Sequence, residues 1–396
     1  MPRFHPFAGV RYDPDRVDLD DVVAPPYDVI DPEERAVLEA RSTYNAVHVE
    51  LGRAEGGNDV YTSARCRFEE WLADRVLIAD PDPGFYVYRM GYRDEHGAAR
   101  QTTGIIGALE LSVPGQGDVF PHERTMGKPK DDRLNLMRAC RANLSPVWCL
   151  SLAPGLSALC QPTEPPVARC TDDAGVHHRL WRVTQGGVLA AIEDLVASAP
   201  VVIADGHHRY ETALAYRDER RAATGGAPGD ADLLMTLVVE LTDEQLHVRP
   251  IHRLLGGLPD GFDVVGALAE HFEPEAAAPD VEDLPDRMAA QGGLGLVVPD
   301  GTWLLRPRRP DAERADSELL EVALAALPAH SLDFHHSPEA VAKAVTAGEA
   351  HAGVLLRPVA MGHIAAAAAA GRRLPEKTTF FAPKPRTGMV FRRLEG

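Results

Sequence analysis

Cysteine is scarce in this 396-residue chain, and none of Cys66, Cys140, Cys149, Cys160 and Cys170 is paired in a C-x-x-C spacing. An odd, scattered set gives no zinc-ribbon signature and no simple disulfide framework, so reduced cytoplasmic thiols are expected. Basic charge is also short. Lys+Arg number 41 against 59 Asp+Glu, a net charge of -18, which disfavours wholesale attraction to DNA, RNA or an anionic membrane. Any anion must be held locally. Long apolar runs are missing too: the first residues carry no signal-peptide-like segment, and the longest uncharged stretch, Ala142 to Thr163, is broken by Pro146, Pro154, Gly155 and Pro162, so no membrane span is expected. What remains, 45% hydrophobic and 25% charged, is an ordinary globular composition with room for two or three domains.

The stretch on which the chain converges is Pro200 to Glu211, PVVIADGHHRYE. Its apolar, β-branched start reads as a buried strand, Asp205-Gly206 as a tight turn, and Tyr210 to Ala223 as a helix closed by Gly225-Gly226. A helix N-terminus leaves backbone N–H groups unpaired and carries partial positive charge, which suits an anion. Gly206 permits a sharp turn and close approach of a ligand. Arg209 offers a planar fork of donors, and His207 and His208 donate to oxygens or exchange protons near neutral pH. Beside a phosphate, Asp205 makes sense as a ligand of Mg²⁺ or as an orienter of a histidine. The same residues also allow a plain structural turn, with Asp205 as helix cap and Arg209 paired to Glu211 or Glu219.

ADGHHRYETAL is similar to the phosphate-binding box of the ParB/sulfiredoxin-like superfamily, in which a Gly-x-x-Arg turn opens a helix and holds nucleotide phosphates. Sulfiredoxin has a cysteine two residues before its arginine; His207 stands there in this chain, so the resemblance does not extend to sulfiredoxin's thiol chemistry. The Asp-Gly-His-His-Arg form resembles relatives that phosphorylate free serine more than the Glu-Arg-Arg of ParB-like proteins. Over its whole length the chain also resembles the family called domain of unknown function 1015. The residues that carry this likeness are Ala24 to Ile30, Asn45 to His48, His122 to Thr125, Asp205 to Tyr210, Pro250 to Arg253 and Lys377 to Lys384.

Elsewhere, Phe4 to Val10 and Val22 to Ala24 read as short strands before a stiff Pro25-Pro26-Tyr27-Asp28 loop. Asp31-Pro32-Glu33-Glu34 reads as a helix start. Tyr27 and Asp28 are candidates to line a substrate pocket. Asn45 to Leu51 alternates and reads as a strand, and Tyr61 to Leu72 as an amphipathic helix. Phe85 to Tyr92 and Gln101 to Leu111 read as a hairpin about Asp94–Gly97. His122 and Glu123 form a second candidate site: Glu123 is the expected base for a hydroxyl proton, with Arg124 and Lys130 neutralising phosphate charge. His177 and His178 fall on one strand, facing opposite ways, and cannot ligate one metal from there. His252 and Arg253 read either as a further anion contact or as a surface pair at a helix entry. Gly261 to Phe272 is a helix candidate, Gly295 to Val298 and Thr302 to Arg306 a hairpin, and Ser337 a helix cap. The tail from Lys377 to Lys384 reads as a lid or a closing edge strand.

The expectation is a mixed α/β fold in two parts: residues 1–255, a ParB/sulfiredoxin-like nucleotide-binding region with large insertions, and 256–396, a smaller α/β domain whose tail folds back. The expected activity is that of a cytoplasmic, ATP- or ADP-dependent phosphotransferase using Mg²⁺ and a nucleoside di- or triphosphate on a small hydroxyl metabolite, with free L-serine the leading acceptor. Asp205, Glu123 and His207 would be catalytic; Gly206, His208, Arg209, Arg124 and Lys130 would hold phosphates; Tyr27, Asp28, His252 and Arg253 would meet the substrate. The alternatives are a ParB-like nucleotide switch without an acceptor and a metal-dependent hydrolase. Neither nucleic acid nor membrane is an expected partner, and the sequence is silent on oligomeric state.

Overall fold

A computed structural model describes residues 1–121, 130–277, 281–311 and 313–394, apart from the side chains of Lys130 and Ala369. The chain is mixed α/β and divides into two compact units. Met1–Pro121, Thr125–Leu246 and Pro383–Gly396 build the first, and His247–Ala382 supplies the body of the second.

Among the described residues, the first unit is built on a nine-stranded sheet. Its strands are β1 (Phe4–His5), β2 (Phe85–Arg93), β3 (Ala99–Glu110), β4 (Val119–Pro121), β5 (Val147–Ser151), β6 (Ala168–Thr171), β7 (His177–Val183), β8 (Val201–Asp205) and β9 (Leu233–Glu240). The order is β4-β8-β5-β9-β3-β2-β7-β6, with β1 also on β3. The β4–β8 and β5–β9 pairs are parallel and the others antiparallel. β8 and β9 are nearly all apolar and buried because the sheet is covered on both faces there. The β2–β3 hairpin turns where read: Asp94 accepts hydrogen bonds from the N–H groups of His96 and Ala98, which fixes the turn. In β7, His177 is exposed and His178 fully buried, the alternation a strand imposes.

Helix starts also follow their signals. Asp31 accepts from the N–H groups of Glu33 and Glu34 at the head of α1 (Pro32–Arg41), and Val60–Ala73 is helical behind an Asp59 cap.

Four readings need correction, the last of them, at His252, in the second unit. Asn45 to Leu51 is no strand; Val47–Glu50 is a helical turn, α2. Asn45 Oδ1 accepts the Val47 N–H while its amide donates to the carbonyls of Asp21 and Val23, and Val47, Val49 and Glu50 are all buried. The alternation therefore separates no wet face from a dry one. Val22 closes a short helix, Leu19–Val22, and Ala24 makes only an isolated bridge to Thr387. Of Gly261 to Phe272 only Val264–Leu268 is helical, started by Asp263, and Phe272 opens a strand.

The second unit holds a six-stranded antiparallel sheet in the order Phe272–Ala276, Gly301–Pro307, Leu294–Val298, Ala352–Leu355, His252–Gly256, Ser331–His335. Helices Leu284–Gln291, Asp316–Leu324 and Pro338–Thr346 accompany it, the last capped by Ser337 as read. Leu255, Leu268, Phe272, Leu296 and Leu305 lie in one core cluster, and Leu254, Met288 and Val341 in another.

His252 is not at a helix entry: it opens a strand, buried at 2% exposure, and its Nδ1 accepts the Leu356 N–H at 3.2 Å. Burial, then the charges of Arg253, His336 and His335, push its pKa down to about 4, against an opposing pull from Glu339. The unfolded chain takes up that proton at the ordinary value near 6.5. Stability from neutral His252 is therefore full above about pH 6.5 and is lost as pH falls toward 4, about 3 kcal/mol across the window. Chemical unfolding at pH 7.5 and 4.5 should show a larger acid loss in the wild type than in His252→Gln, whose amide oxygen still accepts from Leu356. Equal losses would assign the acid sensitivity to other groups.

Candidate functional site

The candidate site lies where β8 ends. The sheet carries Asp205 to its C-terminal end, Gly206 turns the backbone with φ +89°, and α3 (His207–Ala223) begins at once, with no side-chain cap at its N-terminus. The helix thus starts three residues earlier than the sequence reading, and His207, His208 and Arg209 form its first turn. Glycine is required at 206: a Cβ there would take a left-handed conformation and lie 2.9 Å from Arg209 Nε.

Arg209 is 7% exposed, and its guanidinium is committed to protein acceptors. One terminal nitrogen donates to the Pro146 carbonyl at 2.5 Å and to Ser145 Oγ at 3.3 Å; the other donates to Asp205 Oδ2 at 2.8 Å. The Glu211 or Glu219 pairing considered for Arg209 gives way to Asp205; Glu219 pairs with Arg138 instead. The second oxygen of Asp205 accepts from Lys384, which returns from the C-terminal tail. Burial alone would raise the Asp205 carboxyl, but the positive charges of Lys384 and Arg209 outweigh it and hold it down to about 2. As it stands, a carboxylate with both oxygens on cations does not fit a magnesium ligand.

Other predicted residues gather here. The ring of Tyr27 lies 4.3 Å below the Arg133 guanidinium, and the negative charges of Asp205 and then Asp28 act on Arg209. Burial pushes the Tyr27 hydroxyl up to about 12, against the pull of Arg209. His207 and His208 are half-buried. His122, Glu123 and Arg124 lie outside the described residues, as does the side chain of Lys130. His252 and Arg253 belong to the second unit, where Arg253 donates to the carbonyls of Ile251 and Glu376 and packs over Phe334.

Sequence reasoning gave no role in the site to four of its members, Arg133, Ser145, Thr212 and Lys384. Glu50, within the stretch read as a strand, is 4% exposed; Arg133 donates to its carbonyl and carboxylate, and Ser145 donates to the same carboxylate. Burial raises its proton affinity despite Arg133 and Arg209. With Arg133, Ser145, Arg209 and Thr212 it lines a cavity of about 40 Å³. Glu50 Oε2, Arg209 Nε and Thr212 Oγ1 have no hydrogen-bond partner among the described residues, and a water has room there. The fourth member, Lys384, had a readable signal: Pro383-Lys384-Pro385-Arg386 alternates stiffeners with cations.

That tail is fastened two residues further on. Arg386 donates from its guanidinium to Asp172 and from its backbone N–H to Tyr88 Oη at 3.1 Å. Tyr88 then donates to His178 Nδ1 at 2.7 Å, which leaves Nε2–H to donate to Asp172 at 3.2 Å and closes a ring of bonds. Burial lowers the proton affinity of His178, against the opposing pull of Asp172. Burial would raise the Asp172 carboxyl, but His178 and Arg386 hold it far below the usual carboxylate range.

A family model described as "Protein of unknown function (DUF1015)" matches residues 4–334. No curated protein matches the chain. Similar solved structures include a free serine kinase in complex with AMP, 14% identical over 70% of this chain and 88% of that one, with a TM-score of 0.38. SbnI from Staphylococcus aureus, with a C-terminal truncation, is 12% identical over 72% and 86%, at 0.37. A conserved hypothetical protein from Pyrococcus furiosus is 14% identical over 69% and 90%, also at 0.37.

Gly206→Ala is expected to cost about 1–3 kcal/mol, because it forces a left-handed backbone on alanine and pushes on the fixed Arg209 guanidinium. Urea unfolding measures this, and an unchanged midpoint would mean that Arg209 is not held against the turn.

Proposed function

The chain belongs to the family described as protein of unknown function (DUF1015), and we propose that it is a nucleotide-dependent phosphotransferase acting on a small hydroxyl metabolite. The observation that carries this reading is the left-handed Gly206 opening an uncapped helix between Asp205 and the His207-His208-Arg209 turn, with Lys384 brought to the same carboxylate. Such a junction offers backbone donors, half-buried imidazoles and fixed positive charge to phosphate oxygens. The reading rests on these residues and not on the distant structural likenesses.

In this reading Arg209 is the floor of the site. Its guanidinium fixes Asp205 and the Ser145-Pro146 loop, and the phosphate contacts are assigned to the helix start, His207, His208 and Lys384. The acceptor hydroxyl attacks the terminal phosphorus; an O–P bond forms, the bond to the bridging oxygen breaks, and the shortened nucleotide leaves with the electron pair. A carboxylate takes the hydroxyl proton, the role assigned to Glu123. Asp28 stands near enough to Arg209 for its charge to act on it, and the neutral Tyr27 hydroxyl stands beside the same group, which suits residues that position an acceptor. Free L-serine is the acceptor to try first. Magnesium enters as the nucleotide's own counter-ion, and no step is assigned to a metal held by Asp205.

Incubating the protein with Mg²⁺, ATP or ADP and a pool of hydroxyl metabolites, followed by mass spectrometry, tests this. A phosphorylated acceptor is expected, with turnover at least about tenfold lower, a loss of about 1.4 kcal/mol of transition-state stabilisation, in the His207→Ala/His208→Ala double variant. Nucleotide binding without a modified acceptor would favour a nucleotide switch instead. Absence of nucleotide binding would sink the phosphate reading.

A further inference from the structure

Two cations share the Asp205 carboxylate, and they differ in what else they do. Arg209 is buried, bonded to Ser145, Pro146 and Asp205, and its Nε, which has no hydrogen-bond partner among the described residues, lies directly against Gly206 at the helix start. Lys384 makes its ion pair from a tail segment whose prolines stiffen the backbone on both sides, and whose Arg386 is clamped by Asp172 and Tyr88. The Lys384 and Asp205 side chains keep 14% and 17% of their surface in solvent, against 8% for Arg209. A lysine ammonium carries three donors on a flexible stem and re-aims easily, unlike the planar fork of Arg209. A carboxylate oxygen holding a lysine at the start of an uncapped helix stands where an oxygen of a bound polyphosphate would be welcome.

We infer that Lys384 is the polyphosphate-binding lysine of this site: Asp205 holds it in reserve as a counter-ion, and it transfers to the phosphate oxygens of a ligand bound at the start of α3. The inference rests on the phosphate reading proposed above and adds to it how Lys384 is held while the site is empty and where it goes when the ligand binds. It also gives Asp205 a role other than metal ligation. The acid keeps the lysine aimed while the site is empty, and competes mildly with the ligand afterwards.

Titration calorimetry of the full chain with inorganic tripolyphosphate, without divalent metal, tests the assignment. Wild type binds; Lys384→Met is expected to bind about ten- to a hundredfold more weakly, the weight of a charge-assisted hydrogen bond, and Lys384→Arg to lie between the two. Asp205→Asn, which releases the lysine, is expected to bind at least as tightly as wild type, the opposite of what loss of a metal ligand would do to a nucleotide–metal complex. Wild-type affinity in a folded Lys384→Met protein overturns the inference and leaves the phosphate reading standing. Should Lys384→Met lose its near-ultraviolet circular dichroism, Asp205→Asn decides: weakened binding there overturns the inference as well. Failure of the wild type to bind tripolyphosphate or any nucleotide removes both.

Discussion

The shared carboxylate of Asp205 is the interaction on which the first unit's site depends. A carboxylate at the end of a buried strand is costly unless it is paired. Here one partner, Arg209, lies a single helical turn away, and the other, Lys384, lies 179 positions further along the chain. The first partner follows directly once β8 and α3 form, because residues four apart on a helix start face one another. The second requires the chain to complete the other unit and return. Removing Arg209, the more buried of the two cations, leaves the carboxylate without its fixed partner in a poorly solvated place, a change of several kcal/mol when a buried pair is broken, and Lys384 ties the tail to the same group, so tail closure and the chemistry of the box are one problem.

Closure does not rest on Lys384 alone. The Arg386 contacts with Asp172 and Tyr88 bring in His178 from β7, a strand that is not a neighbour of β8 in the sheet. The donors of that ring find acceptors within it, and this completeness distinguishes it from the Glu50 cavity, where three buried polar atoms lack partners among the described residues. The two regions suit different tasks. A fully satisfied network fixes the tail, while an incompletely satisfied one beside Arg209 keeps room for water and for rearrangement.

What could be read from the sequence was what neighbours in sequence decide. Asp31 before Pro32, the Asp94–Gly97 turn and the β-branched run ending at Asp205 each settle their geometry within a few residues, and the structure has them. Asn45 to Leu51 failed because four residues of alternating polarity fit a helical turn as well as a strand; the Asn45 bonds to Asp21 and Val23, made across more than twenty residues, decide between them. The same limit hid the burial of Glu50, since no local pattern announces that Arg133 and Ser145 will cover it. It also hid the commitment of Arg209 to Pro146, although the residue itself was picked out. Lys384 was visible only as one cation in a proline-rich tail; its partner was not.

The acidic balance of the chain sharpens the reading of this site. With a net charge of -18, the protein's average field repels a phosphate, but at physiological ionic strength charges beyond about 8 Å are largely screened. A lysine at contact distance is not: at about 4 Å and an effective dielectric near 20 a unit pair is worth roughly 4 kcal/mol before desolvation. Affinity for an anion is therefore set by the few groups that touch it. On the proposed reading those groups are a helix start, two imidazoles and a lysine delivered by a clamped tail, a local set through which a strongly acidic chain would hold a polyphosphate without a general attraction for nucleic acid.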